Sequence, residues 1–306
     1  MRFQVSISPG GKLQGSTSYA ENFILNIIPD FSIFYKNGLG RKKTTMMPDV
    51  AMKKRNQLIE DGYCVIDNIL TPEFLDELRQ ESDRMLDNVE HPPNWKYQGS
   101  DLHVSGRDEP VIDRLINWEP ARDALEALGL GDFTSHGGFI ILSKPPGGPP
   151  LYWHQDWMGW NDPISCAPWP QYLFLSYYLV DTTIENGCFQ VIPGTHLKRI
   201  PLHDHLVSAH AQGGYYVPED DPHMFCGHPD SVDFPVKSGS LVIAEGRILH
   251  AARGNQSDRR RTLLLGWHSR PITVPENWDG EIPEEILNRD SEAKYEATRV
   301  PSQYLK

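Results

Sequence analysis

Two residues that commonly bind metals stand one residue apart in the stretch LYWHQDW at 151–157. Side chains alternate across a β-strand, so His154 and Asp156 would point to the same face of an extended segment and could bind one ion. A single pair of this kind also occurs at the edges of ordinary strands. The pair therefore predicts a metal site only if the chain supplies a further ligand.

The third candidate ligand is His250, which ends the apolar run GSLVIAEGRILH. This run predicts a strand, and a ligand at a strand end is held in place by the core behind it. Two histidines and one carboxylate occupy one face of an octahedral ion and leave three positions open, as in non-haem Fe(II) oxygenases. A zinc site with the same ligands remains an alternative.

A candidate anion-binding residue, Arg261, begins the next apolar run, RTLLLGWH. Its guanidinium could hold a carboxylate through two parallel hydrogen bonds. We interpret its neighbours Arg259 and Arg260 as surface charge. Lys144 and Asn255 are interpreted as residues that support strands and turns.

The elements that position these residues are mainly strands. From about residue 133 the chain consists of short β-rich runs separated by turn residues, which predicts a double-sheet jelly roll, also called a double-stranded β-helix. Residues 52–87 predict a helix, a strand and a second helix that begins at Thr71. Residues 91–120 predict loops before a short helix in ARDALEALGL. The predicted class is mainly β with flanking helices.

These predicted elements divide the chain into three segments. Residues 1–48 form an extension of uncertain structure, 49–271 form the β domain with its N-terminal helices, and 272–306 form a peripheral helix and tail. The second helix carries an apolar stripe that we assign to the core. Its members are Phe74, Leu75, Leu78, Met85 and Leu86.

Composition narrows the class of partner. A net charge of −12 disfavours nucleic acid, which needs clustered Lys and Arg. No apolar stretch predicts a signal peptide or a membrane span. The four cysteines show no metal-ligand spacing, which favours free thiols and a cytoplasmic location. The oligomeric state stays open, with a homodimer as one alternative.

Several ordered pieces between residues 50 and 270 resemble the phytanoyl-CoA dioxygenase-like family of Fe(II)/2-oxoglutarate oxygenases. They are DGYCVIDNILTPEFLDELR, the strand FIILSKPPGG before WHQD, ENGCFQVIPGTH, and His250 followed by Asn255 and Arg261. The resemblance implies a double-stranded β-helix with iron at His154, Asp156 and His250. It also implies that Arg261 holds the distal carboxylate of 2-oxoglutarate.

The resemblance implies that three further positions lie beside the cosubstrate. Gln155 matches a family glutamine that can face 2-oxoglutarate, although a regular strand would turn Trp153 and Gln155 away from the metal. Ser176 stands where many members carry tryptophan, and Ala252 where many carry serine.

The same resemblance implies that 2-oxoglutarate and O2 are cosubstrates and that succinate and CO2 are coproducts. A small free metabolite is the expected substrate and hydroxylation the default outcome. Desaturation, ring formation or rearrangement, and an acyl-CoA substrate remain open, whereas Asp156 disfavours halogenation. Predicted substrate contacts are Trp157, His103, Arg107 and Tyr178.

Two hypotheses that assign the chain to another functional class remain open. One is a jelly-roll binding module without catalysis, which would not require His154, Asp156, His250 and Arg261 together. The other is an enzyme that uses a different metal or no 2-oxoglutarate.

Overall fold

The computed structural model describes residues 46–89, 100–156, 170–198, 200–206, 221–225 and 227–270. Helix α1 spans Pro48–Asp61, strand β1 Tyr63–Ile66 and helix α2 Pro72–Asp87. Gly62 ends α1 with a φ of 87°, a conformation that glycine adopts without steric cost. Thr71 begins α2, because its hydroxyl accepts a bond of 3.2 Å from the backbone N–H of Phe74. The predicted helix, strand and helix are confirmed.

The apolar stripe of α2 is buried as predicted. Its members join a cluster between the helices and one face of the larger sheet. Helix burial of this kind supplies most of the stability of a short helix in a protein.

The segment 91–120 contains more regular structure than its sequence indicated. Strand β2 spans Ser100–Ser105, helix α3 Pro110–Ile116 and helix α4 Glu119–Ala127. The predicted short helix is α4. Strand β2 was missed because its order comes from pairing with a strand that is 33 to 43 positions later in the chain: Ser105 lies opposite Gly138, and Ser100 lies opposite Ser143.

Two antiparallel sheets form the body of the fold. The remaining described elements are β3 Thr134–Ser135, β4 Gly138–Lys144, β5 Leu151–His154, β6 Tyr172–Tyr178, β7 Phe189–Ile192, a 3₁₀ helix Pro201–Asp204, β8 Val232–Phe234, β9 Leu241–Glu245, β10 Leu249–Ala252 and β11 Arg261–Ser269. The larger sheet has the strand order β1-β9-β6-β11-β4-β2, with β3 paired to β11, and the smaller sheet has the order β5-β10-β7-β8. This mainly β architecture is the predicted jelly roll.

The larger sheet is buried on both faces. Ile141, Tyr177 and Leu264 pack toward the helices. Tyr178 and Leu263 belong to the second cluster, which includes residues of the smaller sheet. Alternating residues of one strand therefore serve two cores, and the face toward the smaller sheet is the one that lines the site described below.

One predicted strand is wrong. The run GSLVIAEGRILH forms two strands in different sheets, β9 and β10, and His250 is the second residue of β10 rather than a strand end. The chain changes sheet around Gly246, where an added Cβ would lie 2.6 Å from the Tyr172 ring. An apolar run does not reveal such a corner, because both strands are buried and share one composition.

Cys64 and Cys188 are free thiols, as predicted for these two positions. Within the described ranges, no helix combines the length and the apolar character that crossing a bilayer requires. The predicted helix and tail at 272–306 and nearly all of the extension at 1–48 lie outside the described residues.

Candidate metal centre

His154 and His250 are directly opposite residues in the pairing of β5 with β10, and their ring centroids are 4.1 Å apart. Each Nδ1 lies near a backbone carbonyl two residues earlier, at 2.8 Å from Tyr152 O and 3.1 Å from Ile248 O. A carbonyl can only accept, so both Nδ1 atoms carry the proton. Both Nε2 atoms are therefore left as the lone-pair ligands.

Asp156 completes the cluster from just beyond the end of β5. Its Oδ1 lies 3.5 Å from His154 Nε2 and 3.7 Å from His250 Nε2. One ligand atom from each of the three residues lies within 4.8 Å of the others, and all three side chains are buried. Two neutral imidazoles and a carboxylate at these separations fit one divalent transition-metal ion.

The His250 ring is packed among aromatic side chains of the inner core. The Phe174 ring centroid is 4.7 Å from it and the Phe189 centroid 5.3 Å. Packing of this kind fixes the imidazole and surrounds the site with a medium of low polarity, in which charge interactions are strong.

Trp267, which was not among the predicted site residues, contacts the site from the opposite sheet. Its indole Nε1 donates a hydrogen bond of 3.0 Å to Asp156 Oδ2. The signal was strand periodicity: a residue six positions after Arg261 on a strand shares its face. Arg261 and Trp267 are the first and seventh residues of β11.

Arg261 is buried at 4% exposure and lies directly opposite Lys144, which is fully buried. Burial lowers the pKa of Arg261, and burial together with the Arg261 charge holds the pKa of Lys144 well below its usual value. Arg261 Nε is buried and has no hydrogen-bond partner among the residues that the structure describes. Across the described ranges, neither residue forms an ion pair with a carboxylate. Arg261 therefore forms a buried, positively charged site for an anion, and a bound anion would favour protonation of Lys144.

Lys144 also holds loops together, in agreement with the predicted supporting role. Its Nζ donates to Arg253 O at 2.7 Å. Asn255 Nδ2 donates to Lys144 O at 3.0 Å and to Arg259 O at 2.7 Å. Asn255 thus joins the end of β4 to the turn that precedes Arg261.

Three other predicted residues lie on the inner faces of the sheets. Ser176 is opposite Leu265 of β11, and Tyr178 is opposite Leu263. Ala252 follows His250 by two residues on β10. Burial raises the pKa of Tyr178, and the nearby Arg261 charge partly opposes this shift, so Tyr178 belongs to the Arg261 end of the site.

Gln155 and Trp153 point away from the metal ligands, as a regular strand predicts. Trp153 packs with Leu249 in the cluster on the outer face of the smaller sheet. The Gln155 amide nitrogen donates to Arg247 O and lies 3.5 Å from His203 Nε2. Gln155 therefore contacts residues on the side away from the metal, among them Arg247 and His203, which we call the layer behind the ligands.

The layer behind the ligands contains buried charge. Arg247 Nε lies 2.9 Å from both carboxylate oxygens of Glu245, and both residues are buried. Burial raises the pKa of Glu245, and the Arg247 charge opposes the rise. His196 is nearby, and its pKa falls to about 3, first through burial and then through the Arg247 charge.

The predicted substrate contacts are less completely placed. His103 is exposed on β2 opposite Ile140, whose side chain belongs to the inner core, so the two share the face toward the smaller sheet. Arg107 is exposed in the turn after β2, and its backbone N–H donates to Ser105 Oγ at 3.1 Å. Trp157 lies outside the described residues.

Comparison with known proteins gives one family. The sequence model described as phytanoyl-CoA dioxygenase (PhyH) matches residues 58–263. An ectoine dioxygenase from Nocardia farcinica is 23% identical over 258 residues, which cover 79% of this chain and 86% of the relative. An L-proline trans-4-hydroxylase from Streptomyces griseoviridis is 25% identical, with 76% of this chain and 90% of the relative covered.

Solved structures share the fold. The apoform of EctD from S. alaskensis superposes with a TM-score of 0.55 at 20% identity, covering 83% of this chain and 88% of that one. The epimerase SnoN, solved in complex with Fe3+, alpha ketoglutarate and nogalamycin RO, gives a TM-score of 0.55 at 19% identity, covering 73% and 85%.

Proposed function

This chain belongs to the phytanoyl-CoA dioxygenase family and is an Fe(II)- and 2-oxoglutarate-dependent dioxygenase, and we propose that His154, Asp156 and His250 are its iron ligands. The observation that carries the assignment is the convergence of two Nε2 atoms and one carboxylate oxygen in a buried site. Because both Nδ1 atoms are engaged by carbonyl groups, the two imidazoles are already oriented for binding.

The proposal assigns the distal carboxylate of 2-oxoglutarate to Arg261. Its buried Nε has no partner within the described residues, and a carboxylate would supply one. Lys144 lies directly opposite Arg261, and a carboxylate bound there would favour the protonated, positively charged form of Lys144. Ser176, Tyr178 and Ala252, on the inner faces of the sheets, are proposed to line the cosubstrate site with them. Gln155 remains a proposed residue of the cosubstrate site. Because its amide nitrogen donates to Arg247 O on the side away from the metal ligands, we propose that it supports the ligand segment and does not contact 2-oxoglutarate directly.

The chain's own share of the reaction is positioning. The bound iron and cosubstrate supply dioxygen activation and oxidising power, with succinate and CO2 as coproducts. Arg261 orients the cosubstrate by a charged hydrogen bond. Phe174 and Phe189 exclude water from the His250 side of the site. The paired strands β5 and β10 keep the two histidines at a fixed separation.

We infer that the substrate is a small molecule and that hydroxylation is the reaction. Two relatives are named for ectoine and L-proline, which makes these two compounds the first candidates to test. Trp157, His103 and Arg107 remain the proposed substrate contacts. Tyr178, predicted as the fourth, is proposed to contact the cosubstrate instead, because it lies opposite Leu263, two residues from Arg261 on the same face of β11. A cytoplasmic location is also proposed, because Cys64 and Cys188 are free thiols.

The test measures cosubstrate turnover. Protein purified without oxygen is mixed with Fe(II) and 2-oxoglutarate, oxygen is admitted, and succinate is quantified with and without each candidate substrate. We expect slow succinate formation by the protein alone and faster formation with a true substrate. Asp156→Ala should abolish both, whereas Asp258→Ala, which removes an exposed carboxylate, should leave them unchanged.

A protein that binds neither Fe(II) nor 2-oxoglutarate would contradict the ligand assignment and favour the binding module. Metal binding together with equal succinate yields from wild type and Asp156→Ala would show that the ligands lie elsewhere.

A further inference from the structure

The carboxylate of Asp156 is held by two different sets of groups. Oδ1 faces the Nε2 atoms of His154 and His250 at 3.5 and 3.7 Å, whereas Oδ2 accepts the indole N–H of Trp267 at 3.0 Å. The two oxygens are therefore distinguished before any metal binds. The donor comes from the larger sheet and the acceptor follows a strand of the smaller one, so the bond crosses between the sheets.

Asp156 needs such a partner because it lies outside the strand ladder. Strand β5 ends at His154, so the position of Asp156 is not fixed by strand pairing. Trp267, in contrast, is held in place by strand pairing. It is paired with Phe174 of β6, and its carbonyl accepts a bond of 3.0 Å from the His136 N–H. A rigid donor on β11 thus orients a side chain whose own backbone is less constrained.

The consequence for coordination follows from donor chemistry. The indole N–H can donate one hydrogen bond and accept none. Holding Oδ2 favours binding of a metal through Oδ1 alone. Two imidazole nitrogens and one carboxylate oxygen leave three positions of an octahedral ion open, and a carboxylate that bound through both oxygens would take one of them.

We propose that Trp267 is a positioning residue that holds Asp156 in the one-oxygen binding mode. This inference rests on the proposed function, because it assumes that Asp156 is a metal ligand. It adds a residue from the strand that also carries Arg261, so that β11 positions both the cosubstrate anchor and the metal carboxylate.

The test compares two tryptophans that each donate one indole hydrogen bond. Trp267→Phe removes the donor to Asp156. Trp118→Phe removes a donor to Ile69 O, a bond of 2.8 Å in the helical part of the fold, and serves as the matched control. Metal-free wild type and variants are titrated with Co(II) without oxygen, and the dissociation constant and the Co(II) absorption spectrum are recorded.

We expect Trp267→Phe to weaken Co(II) binding by about 10- to 100-fold, the range for groups that orient a metal ligand, and to change the spectrum. Trp118→Phe should retain the wild-type constant and spectrum. Thermal unfolding of the metal-free proteins separates this effect from a general loss of structure, since a purely structural role would lower the melting temperature and leave the spectrum of the bound ion unchanged.

If Trp267→Phe does not fold, position 267 is filled with benzothienylalanine, which keeps the shape of the indole and replaces its N–H by sulfur. A Co(II) constant within twofold of wild type in either folded variant, with an unchanged spectrum, would overturn the inference about Trp267. Absence of Co(II) binding by wild type and by Trp118→Phe would instead refute the proposed function.

Discussion

Lys144 of β4 and Arg261 of β11 lie directly opposite each other, and both side chains are buried. Like charges at opposite positions destabilise a strand pair, and buried charge requires compensation. Arg253 O accepts a hydrogen bond from Lys144 Nζ but carries no full charge. Burial and this repulsion hold the pKa of Lys144 well below its usual value. A bound carboxylate would offset the repulsion, so the arrangement favours an anion at this end of the site.

The first prediction follows for cosubstrate affinity. Arg261→Met should raise the 2-oxoglutarate dissociation constant by about 10- to 100-fold, because a hydrogen bond to a charged group contributes about 1.5–3 kcal/mol. The constant is measured without oxygen from the visible absorption of the Fe(II)-cosubstrate complex. Arg259→Met, at an exposed arginine two residues away, is the control. Equal effects of the two substitutions would refute the assignment of Arg261.

The second prediction concerns metal removal. His154→Ala and His250→Ala should each weaken Fe(II) binding by more than about 100-fold, beyond the range seen for groups that merely orient a ligand. His223→Ala removes an exposed histidine, and this variant should bind one equivalent of Fe(II), as wild type does. The bound metal is counted after equilibrium dialysis. Full occupancy in either ligand variant would contradict the site.

The third prediction concerns stability. Glu245→Gln should lower the free energy of unfolding by about 3 kcal/mol, because it removes the carboxylate that compensates the buried Arg247 charge. Glu81→Gln breaks the exposed Glu81–Arg84 pair and should have a much smaller effect, since water screens that pair. Urea unfolding of metal-free protein gives both values. Similar losses would mean that the Glu245 carboxylate contributes little.

The fourth prediction is a pH dependence from His196. Its Nε2 donates to Ile59 O at 3.0 Å, so the folded protein holds a neutral ring whose Nδ1 has no partner in the described ranges. Its pKa is about 3 when folded and about 6.5 when unfolded. Below pH 6.5 the unfolded chain binds a proton that the folded protein does not bind. Stability therefore falls as the pH decreases from 6.5 toward 3, and no contribution is expected above 6.5.

This group should contribute about 1.4 kcal/mol per pH unit within that window. His196→Gln keeps a donor for Ile59 O and removes the titration, so its unfolding free energy should depend less steeply on pH between 6 and 4 than that of wild type. Parallel curves for wild type and His196→Gln would contradict the prediction.

Much of the fold was predictable because local signals agreed with it. Thr71 caps α2 through its hydroxyl, and the apolar stripe of that helix is buried. The β-rich runs became strands, and the predicted rotation of Trp153 and Gln155 away from the ligands follows from strand periodicity. The corner at Gly246 was not predictable, since the runs on both sides of it are equally apolar.

The sequence by itself determined which residues could do chemistry: His154 and Asp156 share a face through strand alternation, and the ordered motifs indicated the family. The tertiary structure alone decided three relationships, namely His154 opposite His250, Lys144 opposite Arg261 and the indole of Trp267 on Asp156. Each joins residues about 100 positions apart. Such contacts depend on which strands pair and in which register, and register is set by the packing of the two sheets rather than by any local run of residues.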